Sequence, residues 1–384
     1  MPTMAINIRT QEKVAEISWF CDLCNGDTRY LGTEDASRSS SFGHCRDILL
    51  TAQAAGFSNI LLPSSYIVGQ DPIAFASAIS READKINLLV AIRTGELHPP
   101  MLARSLATLD HLLQGRLTVN IINSDLPGLK EDGELRYGRS REVIEILKAA
   151  WTQDRIKHQG QLYGFDLDST PSKPYQQNGG PLLYFGGISD GARDLCAEHC
   201  DVFLMWPETQ GQLQATMQDV SQRATTYGRR IDFGLRIHVV VRETEKEARE
   251  YARSLMSKYD EAEGLRLKER AQDAHSLGVQ RQNEERKLAD ADGFVEPLLW
   301  TEIGKARSGC GAALVGSAEQ VIEKINSYMD MGFRAFIFSG YPLIEECHHF
   351  SKLVLPSLPN VKLSVLQGRT PSITPKTPLT TQLK

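Results

Sequence analysis

What most restricts the fold of this chain is a rhythm. A short apolar run, a turn and a segment of helical spacing recur eight times. The apolar runs fall at 16–22, 59–62, 87–93, 116–122, 182–185, 201–205, 232–241 and 335–339. Runs such as NILL and NLLVAIR lack polar alternation, as strands covered on both faces do. Between them, helical spacing marks 42–56, a segment opening at Asp71-Pro72, then 101–113, 140–151, 190–199, 210–227 and 318–331. Gly56 reads as a C-cap and Asp71 as an N-cap with proline at the first helical position. Strand–helix alternation implies parallel strands joined by right-handed crossovers. Eight such units predict an α/β fold of the TIM (β/α)8 barrel type. An open doubly wound sheet is the alternative, but no G-x-G-x-x-G follows the first strand.

The same rhythm sets the domain plan. Residues 1–15 read as an N-terminal extension and 16–358 as one barrel domain. A charged, helix-prone insertion at about 243–300 follows strand seven and is the largest interruption; its position suggests a lid over a site. The segment 359–384 is polar and rich in proline and threonine, which predicts a disordered tail.

Composition narrows the partners. The chain has 384 residues, 41% hydrophobic and 24% charged, with a net charge of −5. Nothing in that balance favours nucleic acid or an anionic membrane. No apolar run reaches the ~18–20 residues of a membrane span. The N-terminus lacks the apolar core of a secretory signal, so a cytoplasmic location is expected. Seven cysteines, odd in number and scattered, predict reduced thiols. Cys21-x-x-Cys24 has no second ligand pair, and no metal is expected.

The chemistry-bearing residues gather at strand ends. DFGLRIHVVVR places Arg236 and His238 two residues apart, on one face of strand seven. Arg307 in KARSGCGAALVG and Tyr341 in FIFSGYP are expected to converge on them. Two arginines suit a small oxyanion, and a histidine with a tyrosine can manage protons beside it. LYFGGISD ends a strand, turns on Gly186 and Gly187, and opens a helix near Ser189. Such a turn lets backbone N–H groups from Gly186 through Ile188 to Ser189 meet a phosphate. Tyr137, just ahead of the helix expected from 140, is within reach of the same group. Asn120 lies near the end of strand four, where barrel enzymes keep their chemistry.

Several stretches carry a resemblance: GDTRYLGTEDASR, ATLDHLLQGRLTVNI, RYGRSRE, LYFGGISDGARDL, DVFLMWPE, GRRIDFGLRIHVVVRET, ARSGCGAALVG and FIFSGYPLIEE. Together they resemble the bacterial luciferase-like, flavin-dependent monooxygenases, and most of all the alkanesulfonate monooxygenase branch. The resemblance implies a TIM barrel that uses reduced FMN and O2, with FMN supplied by a separate NAD(P)H-dependent FMN reductase. It implies oxygenation of a small organosulfonate to an aldehyde and sulfite, in a homodimer or homotetramer. It places Tyr137 and the Gly186–Ser189 turn at the flavin phosphate, and Trp206, Arg236, His238, Arg307 and Tyr341 in the active site. Three positions depart from the branch pattern. Asn25 stands about where the loop after strand one carries a histidine, Gly69 falls near a cysteine position, and His98 is an addition after strand three. Asn25 and His98 therefore join the substrate-binding candidates. The altered loops also admit a sulfone or a non-sulfur substrate, and the same fold hosts deazaflavin-dependent oxidoreductases. A flavin-binding barrel without turnover is the remaining alternative.

Overall fold

The apolar runs become eight parallel strands. They are β1 (Glu16–Phe20), β2 (Asn59–Leu62), β3 (Asn87–Arg93), β4 (Leu117–Ile122), β5 (Leu182–Gly186), β6 (Val202–Met205), β7 (Asp232–Arg242) and β8 (Phe333–Ser339). Each pairs in parallel with the next, and β8 pairs with β1, so the sheet closes into the TIM barrel. This computed structural model describes residues 6–24, 26–66, 69–269, 277–307 and 309–381.

Helices α1 (Phe42–Ala55), α2 (Pro72–Ile79), α3 (Pro99–Leu112), α4 (Gly133–Thr152), α5 (Asp190–His199) and α6 (Gln210–Thr226) follow strands β1 to β6. Their ends obey local chemistry. Asp71 accepts from the Ala74 N–H at 2.6 Å, and Gly56 closes α1 with a φ of 91°. Helix α4 starts seven residues before the predicted 140, so Tyr137 lies inside it. Gly133 and Gly138 lower the helix propensity of that opening. Asp132 nonetheless caps it through the Leu135 N–H at 2.8 Å, and tertiary contacts settle the matter. The excursion that follows α4 holds an unforeseen antiparallel hairpin, Arg155–Gln159 with Gly164–Asp168.

After β7 the insertion forms α7 (Glu245–Leu255), α8 (Glu261–Glu269) and α9 (Leu277–Arg286). A short hairpin of Phe294–Glu296 and Leu299–Trp300 then leads to the strand Ala313–Ser317. That strand was also unforeseen. It pairs with the second half of β7, His238 to Arg242, beyond the point where β7 leaves β6. The extra length of β7 thus carries Arg307 and residues 309–312 to the barrel mouth. Helices α10 (Ala318–Met331) and α11 (Leu343–Leu353) complete the outer layer.

The C-terminal stretch differs from the expectation of disorder. Residues 359–381 are packed against the N-terminal end of the barrel. Leu363 is fully buried in the barrel interior cluster, and its N–H donates to Glu16 Oε2 at 3.1 Å. Glu16 also accepts from Tyr184 Oη at 2.6 Å and Asn59 Nδ2 at 2.9 Å, so this buried carboxyl is fully partnered. Arg369 reaches Asp201 at 2.6 Å with both side chains buried. Composition marked the segment as too polar to fold alone. It folds because α12 (Leu363–Leu366) plugs a hole that the barrel would otherwise leave open.

Candidate active site

At the opposite end, the strand ends bring together Arg236, His238, Arg307 and Tyr341. Their hydrogen bonds have fixed directions. Arg236 Nη2 donates to Ser339 Oγ at 2.8 Å, and Ser339 Oγ lies 2.6 Å from His238 Nδ1. His238 Nε2 lies 3.1 Å from the carbonyl of Cys310. A carbonyl only accepts, so Nε2 carries the proton. Nδ1 is then the acceptor, and the Ser339 hydroxyl donates to it. This order leaves His238 neutral. Burial, reinforced by Arg236 and Arg307, pushes its pKa well below the ordinary value. Both ring nitrogens are engaged, and His238 holds Arg236 and the Cys310 loop in register.

Arg236 is buried. Nη1 donates to the carbonyls of Ile237 at 3.2 Å and Ile337 at 3.4 Å, while the guanidinium lies 4.5 Å from the centre of the Phe20 ring. Arg307 is half-buried and donates to the Gly26 carbonyl at 3.1 Å; its guanidinium sits 5.3 Å from the Tyr341 ring centre. A side chain at Gly26 would collide with that guanidinium. Asp22 accepts from the N–H groups of Cys24 at 3.1 Å and of Gly26, and so shapes the loop on which Arg307 rests. Among the described residues neither Arg236 nor Arg307 has a carboxylate within ion-pair distance. Tyr341 is 2% exposed, and burial pushes its phenol up to about 12 against the pull of Arg307. It is a neutral hydroxyl at ordinary pH.

The sequence missed the residues that hold this set. Ser339, Cys310, Asp22 and Gly26 were not singled out, although each sits within two residues of a motif or a cysteine that was. The surrounding motif residues fix the Tyr341 segment. Arg242 grips Glu346 at 2.7 and 3.0 Å, Tyr251 Oη donates to the Tyr341 carbonyl at 2.9 Å, and Asp27 accepts from the Leu343 N–H at 2.9 Å. The R-x-H-V-x-V-R and SGYP-x-x-EE stretches thus meet through the Arg242–Glu346 pair.

The second cluster lies at β4 and β5. Tyr137 Oη meets Ser189 Oγ at 2.6 Å. Ser189 also caps α5 by accepting from the Ala192 N–H at 3.3 Å. Gly191 is small enough for the Tyr137 ring to lie over the helix start; an added Cβ would be 2.7 Å from it. Gly187 has a φ of 152°, and a Cβ there would sit 2.7 Å from that of Ala192. Asp190 turns away to Arg223 at 2.6 Å, so its charge does not face the turn. Two hydroxyls, a tight glycine turn and a helix N-terminus make an anion cradle. Nearby, the buried Asn120 Oδ1 and both side-chain polar atoms of Asn123 have no partner. Orphaned amides call for a ligand with donors and acceptors, and a flavin ring edge offers both. The residues present fit a flavin mononucleotide.

Trp206, half-buried after β6, packs against Gly278 of α9, where an added Cβ would be 2.7 Å from its ring. His98 does not join the arginine set. It is exposed and its ring lies 5.7 Å from Phe165 of the hairpin after α4. Asn25 lies outside the described residues. Gly69 lies against the chain that follows β1, where a Cβ would be 3.1 Å from the Leu23 carbonyl and 3.4 Å from Cys24 Sγ.

Residues 16–335 match the family described as luciferase-like monooxygenase. A sulfoquinovose monooxygenase of Agrobacterium fabrum is 56% identical over 366 residues, covering 95% of each chain. A protein of the same name from Novosphingobium aromaticivorans is 47% identical over 362 residues, covering 92% of this chain and 99% of that one. Among solved structures, a long-chain alkane monooxygenase superposes with a TM-score of 0.72 at 18% identity, covering 96% of this chain and 94% of that one.

Proposed function

The chain belongs to the luciferase-like monooxygenase family, and on that premise we propose that it desulfonates a sulfonated sugar of the sulfoquinovose type. The observation that carries this reading is the pair Arg236 and Arg307. Two guanidinium groups face one barrel mouth without a carboxylate partner among the described residues. A cation withdrawn from water needs a counter-charge; Asp22 acts on both guanidinium groups from beyond contact distance, but its oxygens are taken by the Cys24 and Gly26 N–H groups. A sulfonate supplies one, with three oxygens for charge-assisted hydrogen bonds. The name shared by the two relatives supports a sugar sulfonate among the small organosulfonates expected from the sequence.

Reduced FMN, supplied by an NAD(P)H-dependent reductase, provides the activation of O2 when bound. Tyr137, Ser189 and the Gly186–Ile188 backbone would hold its phosphate; Asn120 and Asn123 would meet its ring. Overall, substrate, O2 and reduced FMN give an aldehyde, sulfite, oxidised FMN, water and a proton. One oxygen atom enters the aldehyde, the other leaves as water, and the carbon–sulfur bond breaks. Arg236 and Arg307 bind the sulfonate and orient the adjoining carbon. Tyr341 donates a neutral hydrogen bond, and Trp206 with α9 excludes water. His238 is a positioning residue that aligns Arg236 through Ser339.

The test is sulfite release from the purified chain with FMN, a flavin reductase and NAD(P)H. Sulfoquinovose is expected to give sulfite well above the no-enzyme control and faster than hydroxyl-free alkanesulfonates. Retained binding of reduced FMN with no sulfite from any sulfonate would contradict the reading.

A further inference from the structure

We propose that one face of α9 reads the hydroxyl groups of the substrate sugar, with Gln282 as donor and Glu285 as acceptor; this rests on the sugar-sulfonate reading above. Gly278, Arg281, Gln282 and Glu285 are spaced i, i+3, i+4 and i+7, so they share one side of the helix. That side is turned toward the barrel. Gly278 lies on Trp206, and Arg281 Nε pairs with Glu208 at 2.9 Å. Gln282 Oε1 stands 2.6 Å from where a Cβ on Gly311 would be. Gly311 adjoins Cys310, whose carbonyl accepts from His238. The α9 face therefore lies one residue from the network that orients Arg236.

A helix packed on an apolar site normally turns apolar residues inward. This one turns inward two polar side chains with unused capacity. Gln282 is 8% exposed and its Nε2 has no partner. Glu285 is 5% exposed; its carboxyl is engaged by the Thr209 N–H and the Gln212 side chain, burial beside Glu208 lifts it to about 7, and its Oε1 has no partner. Leaving such a group buried and unpaired costs about 1–3 kcal/mol. A ring carrying several hydroxyls can satisfy both at once, since each hydroxyl donates and accepts. A plain alkanesulfonate satisfies neither, and a site of this kind rejects the ligand that leaves its polar groups unpaired. The sulfonate is thus held by arginines from the barrel, while the sugar is read by the inserted helix.

The experiment measures kcat/KM for sulfite release with sulfoquinovose and its mono-deoxy analogues, using wild type, Gln282→Leu and Glu285→Met. Reduced-FMN affinity, measured on each, confirms an intact flavin site. Wild type is expected to lose about tenfold at one or two ring positions, the size expected for one unpaired buried group. Gln282→Leu is expected to lose about as much with the parent sugar, and to show almost no further loss at one of those positions. Should Gln282→Leu fail to fold, Glu285→Met, similar in size and without the carboxylate acceptor, carries the same comparison. The proposal is overturned if wild type tolerates every deoxy analogue, or if deoxy penalties are the same in wild type and variants. Turnover of sulfoquinovose with either result leaves the parent reading standing. No sulfite from any sugar sulfonate overturns both.

Discussion

The Ser339 hydroxyl links an arginine to a histidine and so sets which ring nitrogen of His238 holds the proton. Ser339→Ala removes that link while leaving a shape the core tolerates. Sulfite-forming kcat/KM is expected to fall about tenfold, in line with one lost charge-assisted bond, with reduced-FMN affinity unchanged. His238 also predicts a pH trend. Its folded pKa is depressed, so below about 6.5 the unfolded chain takes up a proton that the native site refuses. This group therefore contributes destabilisation that grows as pH falls below that value. Urea midpoints from pH 5 to 8 should show the slope, and His238→Asn should reduce it, leaving the part that the likewise depressed His199 contributes. A second residue-scale expectation concerns Gly26. Gly26→Ala pushes a methyl into the Arg307 guanidinium. Steady-state assays should find at least about tenfold weaker sulfonate turnover, the scale of one misplaced charged contact, with the thermal midpoint little changed.

Elements show what the sequence could and could not reveal. Strands β2 and β3 were legible to the residue, because a strand buried on both faces has no polar alternation to blur its ends. Arg236 and His238 were legible because a period of two puts them on one face of β7. The strand Ala313–Ser317 was not, because ALVGS is short and its pairing depends on the unusual length of β7. Nor were Ser339 and Cys310, whose roles arise only when β8 and the Cys310 loop flank β7. The turn after β5 was readable as a strand-to-helix glycine turn and a candidate phosphate cradle, but the Tyr137–Ser189 contact required α4 to begin seven residues earlier than its glycines suggested. At this element Ser189→Ala is expected to weaken reduced-FMN binding by about tenfold or less, as for one neutral hydroxyl contact. Fluorescence titration under anaerobic conditions would measure it.

For the whole molecule, the barrel has a chemical end and a closed end. The closed end depends on a segment that composition alone would assign to disorder. Leu363 and the Glu16 cluster show why composition misled: a polar tail with one well-placed leucine can complete another core. Leu363→Ala is expected to destabilise the chain by about 2–5 kcal/mol, the range for a fully buried leucine. Calorimetry should show the lowered thermal midpoint, with the affinity for reduced FMN intact in folded protein. Conversely, the chemical end joins Arg236 on β7 to Arg307 on the insertion's far side, so the proposed sulfonate site would span barrel and insertion.

The most direct measurement is anaerobic equilibrium binding of sulfoquinovose to protein carrying reduced FMN, in wild type, Arg236→Ala and Arg307→Ala. Each variant is expected to bind the sulfonate about 10- to 100-fold more weakly, the worth of a hydrogen bond to a charged group, while binding FMN as wild type does. Unchanged sulfonate affinity in both variants would contradict the account, because the two unpaired arginines would then serve something other than the substrate.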